Sequence, residues 1–181
     1  VVHGDSSAKL KKELLAGEEC VLRALSKVLA IQSDDGLQMQ VIHGDLHPLN
    51  FIFDVKEKST LLAIIDFGDM YTGPLLQDIG NALHRLVRRS VEYAGGSYKK
   101  TLSIHVHRFL SAYTSIWPLS LGDVFRLPVF MRYSLIMKLR TVLRFRIEKS
   151  WTSEAILPEV KKFIYLLREV DEIERLAFPW F

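Results

Sequence analysis

The sequence predicts a mainly α domain carrying a small β-hairpin, and three features predict it. Apolar residues recur at helical spacing before residue 32 and again, in several successive stretches, after residue 74. Between them, Phe51-Ile52-Phe53 and Leu61-Leu62-Ala63-Ile64-Ile65 are short, apolar runs of strand character. The charged, turn-like segment Asp54–Thr60 joins those two runs, so Phe51–Asp54 and Leu61–Asp66 are expected to pair as a hairpin. At 181 residues, 49% hydrophobic and 25% charged, the chain suits one ordinary globular domain with a sizeable core. Its expected parts are a leading helix (1–40), a central loop and hairpin (41–72) and a helical subdomain (73–181).

Taken in order, residues 1–7 read as a loose lead-in. Leu10, Leu14, Val21, Leu25 and Val28 line one face of a helix from Ala8 to about Ile31, with Ser6 or Ser7 as its cap. Gln32-Ser33-Asp34-Asp35-Gly36 ends it. In the central stretch, Gly44 offers a backbone shape that residues with a Cβ resist, and Pro48 biases His47 away from helix. Pro74 fits a helix start, and Ile79, Leu83, Leu86, Val87 and Val91 give a stripe to about Tyr93, broken by Gly95-Gly96. Leu102, Val106, Phe109, Leu110, Tyr113 and Trp117 mark the next helix as core-facing, stopped by Pro118. Asp123 is the expected cap of a stretch to about Lys149, apolar on most sides and kinked or restarted near Pro128. A helix of that kind sits at the centre of a bundle. Ser153 or Thr152 caps a last helix through Leu176, with Pro158 early in it, and the tail Phe178–Phe181 is expected to dock on the core.

Composition narrows the function classes. No run of about 18 uncharged apolar residues exists, so no transmembrane helix is expected. Val1–Asp5 lacks the pattern of a signal peptide. Cys20 is the only cysteine, which excludes an internal disulfide and a cysteine-based metal site. It reads as a buried, inert thiol in a reducing compartment, and the expected location is cytoplasmic. The net charge of +3 and pI near 9.0 describe a solvated surface. Arg85, Arg88 and Arg89, and then Arg132, Lys138, Arg140, Arg144 and Arg146, read as edges of amphipathic helices rather than a nucleic-acid surface. His105 and His107, two apart on a helix, face different ways and do not suggest a metal pair.

The chemistry gathers in the central stretch. His43, Asp45, His47 and Asn50 precede the first strand, and Asp66, Phe67, Gly68 and Asp69 follow the second. Pairing of the two strands brings both clusters to one end, so Asp45, Asn50 and Asp66 are expected to converge. A carboxylate able to accept a proton, beside an Asn and a second carboxylate able to hold Mg²⁺, is the arrangement phosphoryl transfer requires. Asp45 and Asn50 have the Asp-x-x-x-x-Asn spacing of a kinase catalytic loop. His43 is expected to brace the loop by hydrogen bonding.

His43-Gly-Asp-Leu-His-Pro-Leu-Asn50 with Ile65-Asp-Phe-Gly-Asp69 resembles the C-terminal lobe of the aminoglycoside phosphotransferase and choline kinase family, small-molecule kinases with a protein-kinase-like fold. Gly73-Pro74 and Gln77-Asp-Ile-Gly80 resemble the continuation of that lobe. The resemblance implies Asp45 as catalytic base, Asn50 and Asp66 as Mg²⁺ ligands, ATP or another nucleoside triphosphate as phosphoryl donor, and a hydroxyl on a small molecule as acceptor. It makes Asp78 a structural acceptor for loop amides and leaves His47 either on phosphate or supporting the loop. Asp69 becomes a group that supports the metal ligands from behind or one that faces the substrate. Leu49 stands where the family often has Gly.

The 40 residues before His43 hold no match to that family's Gly-rich phosphate loop, strand lysine and partner Glu. The expectation is therefore a C-terminal lobe without its nucleotide-clamping half, which folds but phosphorylates weakly or not at all. The basic helices lean away from a polycationic aminoglycoside as acceptor. The reading from another class is a non-catalytic binding or regulatory module that keeps the fold.

Overall fold

A computed structural model describes residues 3–31, 34, 36–94, 98–149 and 151–175. The described residues form five α-helices and four short strands, α1 (His3–Ile31), β1 (Met39–Ile42), β2 (Phe51–Phe53), β3 (Leu61–Ile64), β4 (Tyr71–Pro74), α2 (Leu75–Ala94), α3 (Tyr98–Thr114), α4 (Leu121–Glu148) and α5 (Ser153–Arg175), with single 3₁₀ turns at Pro48–Asn50 and Phe67–Asp69. The chain is mostly helical, as the apolar spacing predicts.

The expected hairpin forms. β2 and β3 pair antiparallel, Phe51 opposite Ile64, with an irregularity at Ile52 and Phe53. Around it lies a second antiparallel pair that the sequence reading missed, β1 with β4, running from Met39 opposite Pro74 to Ile42 opposite Tyr71. The two pairs are nested: β1 leads into a loop, then β2 and β3, then a second loop and β4. Nesting forces the two loops side by side, and these loops are the two polar clusters.

The helices build the core. α4 packs against α1, α2 and α5, with Leu127, Leu135 and Leu139 buried along it. It is the central helix, as its apolar sequence predicts. Gly80 of α2 lets the two backbones approach: a Cβ there would lie 2.8 Å from Phe130 Cβ and 2.9 Å from its carbonyl carbon. Within this core Arg132 is fully buried. Its guanidinium meets Asp171 at 2.8 and 3.0 Å and Glu174 at 2.7 Å. Arg23 of α1 reaches the same Asp171 at 3.3 Å, and Lys27 binds Glu174, so the cluster ties α1, α4 and α5 together.

Several local expectations are corrected. α1 begins at His3, so Ser6 and Ser7 lie inside the helix rather than capping it, and residues 3–7 are not a loose lead-in. Pro74 closes β4 and the helix starts one residue later. α3 ends at Thr114, three residues before Trp117, which is half exposed instead of core. Ser120, not Asp123, is the N-cap of α4; Asp123 is its partner three residues on, in a reciprocal capping box. Pro128 sits within an unbroken α4. Thr152 caps α5, its hydroxyl accepting the Ala155 N–H at 3.2 Å. Cys20 is buried as expected, and burial pushes its thiol up. Arg132 is no amphipathic edge, because it is the charged centre of the core. Leu176 and the tail 178–181 lie outside the described residues.

Candidate functional site

The site is the junction of the two loops with α2 and α4. Asp78, in the first turn of α2, accepts the His43 N–H on Oδ2 at 2.6 Å and the Gly44 N–H on Oδ1 at 3.0 Å. One carboxylate thus pins the start of the loop to the helix. The buried His43 ring donates from Nε2 to the Ile65 carbonyl at 2.9 Å and accepts the Asp45 N–H on Nδ1 at 3.4 Å. Phe67 packs on that ring, centroids 4.9 Å apart. His43 therefore ties the first polar loop to the end of β3.

Gly44 makes the next joint. Its φ is +81°, and a Cβ there would lie 2.1 Å from the Asp69 carbonyl oxygen, so only glycine lets the loops touch at this point. Asn81 of α2 donates to the Leu46 carbonyl at 3.0 Å and accepts from the Ser134 hydroxyl of α4 at 2.6 Å. The loop is held from three elements at once.

Asp45 sits at the centre of this frame. Its backbone carbonyl accepts from Asn50 Nδ2 at 3.0 Å. Its Oδ2 lies 3.3 Å from His47 Nε2, and its Oδ1 lies 3.3 Å from Lys138 Nζ of α4. Burial pushes the Asp45 carboxyl up, but the charges of Lys138 and Arg85 and the Lys138 hydrogen bond outweigh it and hold the group below its ordinary range. His47 moves down, first through burial and then through Arg85, with Asp45 pulling the other way without reversing it. Its Nδ1 accepts the Leu49 N–H at 3.2 Å, so Nε2 carries the proton and donates to Asp45. His47 is a neutral ring with both nitrogens committed.

Asn50 is buried, its Nδ2 used by the loop, which leaves its Oδ1 as a potential donor to a cation. The Ile65 N–H bonds the Asn50 carbonyl at 3.0 Å, which sets Asp66 beside it at the end of β3. Asp66 is exposed, adopts a left-handed backbone (φ 67°, ψ 58°) and, among the described residues, has no side-chain partner. A non-glycine residue in that region is strained and stays there only when its surroundings impose it. The structure thus brings Asp45, Asn50, His43, His47 and Asp78 into one bonded cluster and puts Asp66 at its rim, without direct contact. Asp69 reaches the cluster through its backbone and lines the cavity beside Asp45.

A carbonyl oxygen of Asn50 and a free carboxylate of Asp66 are hard oxygen donors, the kind Mg²⁺ takes in ones and twos while the rest of its shell comes from water and phosphate. The pair fits such an ion. Among the described residues no group of three or more His, Cys, Asp or Glu side chains forms a protein-only metal cage.

Next to Asp45 opens a cavity of about 300 Å³ whose wall includes Asp69, Tyr71, Asn81, Tyr133, Ser134 and Lys138. A larger one, about 570 Å³, lies alongside between α1, β4 and α4 and shares Tyr71, Gln77 and Tyr133 with it. Gln77 and Tyr71 hydrogen-bond across their common wall. The sequence reading passed over Asn81 and Ser134 and took Lys138 and Arg85 for edges of amphipathic helices. A signal existed: Gln77, Asn81 and Arg85 are spaced by four on α2, and Ser134 and Lys138 by four on α4, so each set is a polar stripe on one helical face.

The two loops thus present a carboxylate held below its ordinary range, a buried amide and an exposed carboxylate beside a polar cavity. A model of the phosphotransferase enzyme family (APH) matches residues 3–109, more than half of the chain and all of both polar loops, and the chain belongs to that family. No curated protein and no solved structure matches it. Among the described residues no helix is long and apolar enough to cross a membrane.

Proposed function

We propose that the protein transfers the terminal phosphoryl group of ATP, or another nucleoside triphosphate, to a hydroxyl of a small molecule, and that its fold is the C-terminal lobe of a kinase-like enzyme. The observation that carries this reading is the carboxylate of Asp45, 3.3 Å from the Lys138 ammonium and lining a polar cavity. In the reaction the acceptor oxygen bonds to phosphorus as the bond from phosphorus to the bridging oxygen breaks, and the electron pair leaves with the nucleoside diphosphate. The hydroxyl proton passes to Asp45. A depressed carboxylate is a weak base, which suits a loose transition state in which the proton moves late. Asp45 thus orients the hydroxyl more than it activates it. Asn50 and Asp66 would hold Mg²⁺, which supplies charge neutralisation on the phosphates when bound. His43, Gly44 and Asp78 fix the loop so that Asp45 keeps its place.

α1 occupies the sequence before β1, and large apolar side chains around the loops are open to solvent: Leu49 at 60%, Leu62 at 59% and Phe67 at 52% exposure. Apolar surface beside a nucleotide site supports a further segment closing over it. The isolated chain is then expected to turn over weakly or not at all.

The test uses the protein expressed from its complete reading frame, a panel of small alcohols and Mg²⁺-ATP. Wild type should phosphorylate at least one acceptor, while Asp45→Asn and Asp66→Ala each lose about 10²-fold or more in kcat. Nucleotide binding that is independent of Mg²⁺ and equal in wild type and Asp66→Ala would favour the non-catalytic module instead.

A further inference from the structure

Resting on the phosphotransferase reading, we propose that Lys138 is a further catalytic residue: from α4 it delivers the positive charge that meets the phosphoryl group in transfer. The phosphoryl group in flight spreads negative charge over three oxygens, and the protein's contribution is mainly fixed charge close to them. The loop itself cannot provide it. His47, two residues beyond Asp45, is neutral, with Nδ1 occupied by the Leu49 N–H and Nε2 by Asp45.

Lys138 answers that deficit by position and by chemistry. Its Nζ lies 3.3 Å from Asp45 Oδ1, and it lines the same cavity. An acceptor hydroxyl hydrogen-bonded to Asp45 puts the incoming phosphorus only one further bond away, within reach of that ammonium. An ammonium has three donors, and Asp45 takes one, which leaves two for phosphoryl oxygens. Lys138 is 35% exposed, so a ligand can reach it without unfolding anything. Its backbone is rigid, since Leu135 and Leu139 on either side are buried in the core. The cation is therefore mounted on the central helix rather than on the loop that carries the base.

Lys138→Met and Lys138→Arg in the protein from the complete reading frame test this. The probes are Mg²⁺-ADP alone and Mg²⁺-ADP with aluminium fluoride, a planar mimic of the transferring group. The methionine variant should bind Mg²⁺-ADP within about twofold of wild type and lose about tenfold or more of the extra affinity that fluoride confers. Its kcat should fall about 10²- to 10³-fold with the acceptor KM little changed, and the arginine variant should recover part of both. A raised acceptor KM with kcat and the fluoride complex intact would overturn the proposal and make Lys138 a receptor for an acidic acceptor. No change in either would reduce it to a structural ion pair. Lys138→Gln repeats the comparison if the methionine variant melts early. Wild type that binds no Mg²⁺-nucleotide sinks the phosphotransferase reading and the proposal with it, whereas normal wild-type binding with an indifferent variant sinks the proposal alone.

Discussion

Two cations of α4, six residues apart, have opposite fates. Arg132 is fully buried and bonded to Asp171 and Glu174, which Arg23 and Lys27 also reach from α1. Lys138 faces the Asp45 carboxylate at the edge of a cavity and keeps donors to spare. The first cluster is sealed from solvent around Arg132, whose Nη1 is left without a hydrogen-bond partner, and its ion pairs hold helices together. The second is unsaturated and open, so it has capacity left for a ligand. Sequence reading put both residues on amphipathic edges, because charge type alone does not say how many partners a charge will find.

The sharpest way to break the comparison is to remove a partner from the closed cluster. Asp171→Ala leaves Arg132 buried with Glu174 alone as countercharge, and unfolding free energy should fall by about 3–5 kcal/mol in urea denaturation, since a desolvated charge has lost one of its two partners. A loss below about 1 kcal/mol would show that water reaches Arg132 and that the two clusters do not differ in kind. The next largest effect belongs to the loop junction. Gly44→Ala must either hold a strained φ or push the Asp69 carbonyl away, at a cost of about 1–3 kcal/mol from the backbone strain alone. Gly68→Ala is the control: its Cβ meets nothing closer than Asp66 Oδ1 at 3.8 Å. Equal melting temperatures for the two variants would mean that the loops are not locked together at Gly44.

How much of this was legible follows the same distinction. The hairpin, the central position of α4 and the polar clusters could be read because periodicity and turn chemistry are local. The β1–β4 pair could not: Met39–Ile42 and Tyr71–Pro74 are four-residue strands whose partners lie across the whole hairpin. Pro74 at the end of β4 looked instead like the start of a helix. Within the site, Asp45, Asn50 and Asp66 were visible through their spacing, and Asp78 through the family resemblance. Lys138 and Asn81 were not, since each meets the loop only after α2 and α4 have packed, and that packing depends on Gly80. Ser120 was missed as a cap because Asp123, its capping-box partner, is itself a favoured capping residue.

The smallest effect separates structure from chemistry at Lys138. With 35% of its side chain in water, its pair with Asp45 should contribute under about 1 kcal/mol, so Lys138→Met should melt close to wild type. Its mark should appear in titration instead. Asp45 is depressed although burial pushes it up, and Lys138 is the largest of the influences that lower it. In the variant the burial remains and that charge is gone, so the Asp45 midpoint, followed by carboxyl carbon NMR, should rise. The stability consequence has a definite sign. A carboxylate depressed on folding stabilises at pH values above its unfolded midpoint near about 4, and loses that contribution as pH falls through the lower folded midpoint. The gap in stability between wild type and Lys138→Met should therefore be present at pH 7 and close under strong acid, while Asp171→Ala remains impaired at pH 7 whatever Lys138 does. An Asp45 midpoint that stays fixed in the variant would mean that Arg85 alone holds the carboxylate ionised, and that the open cluster is centred on α2 instead of α4.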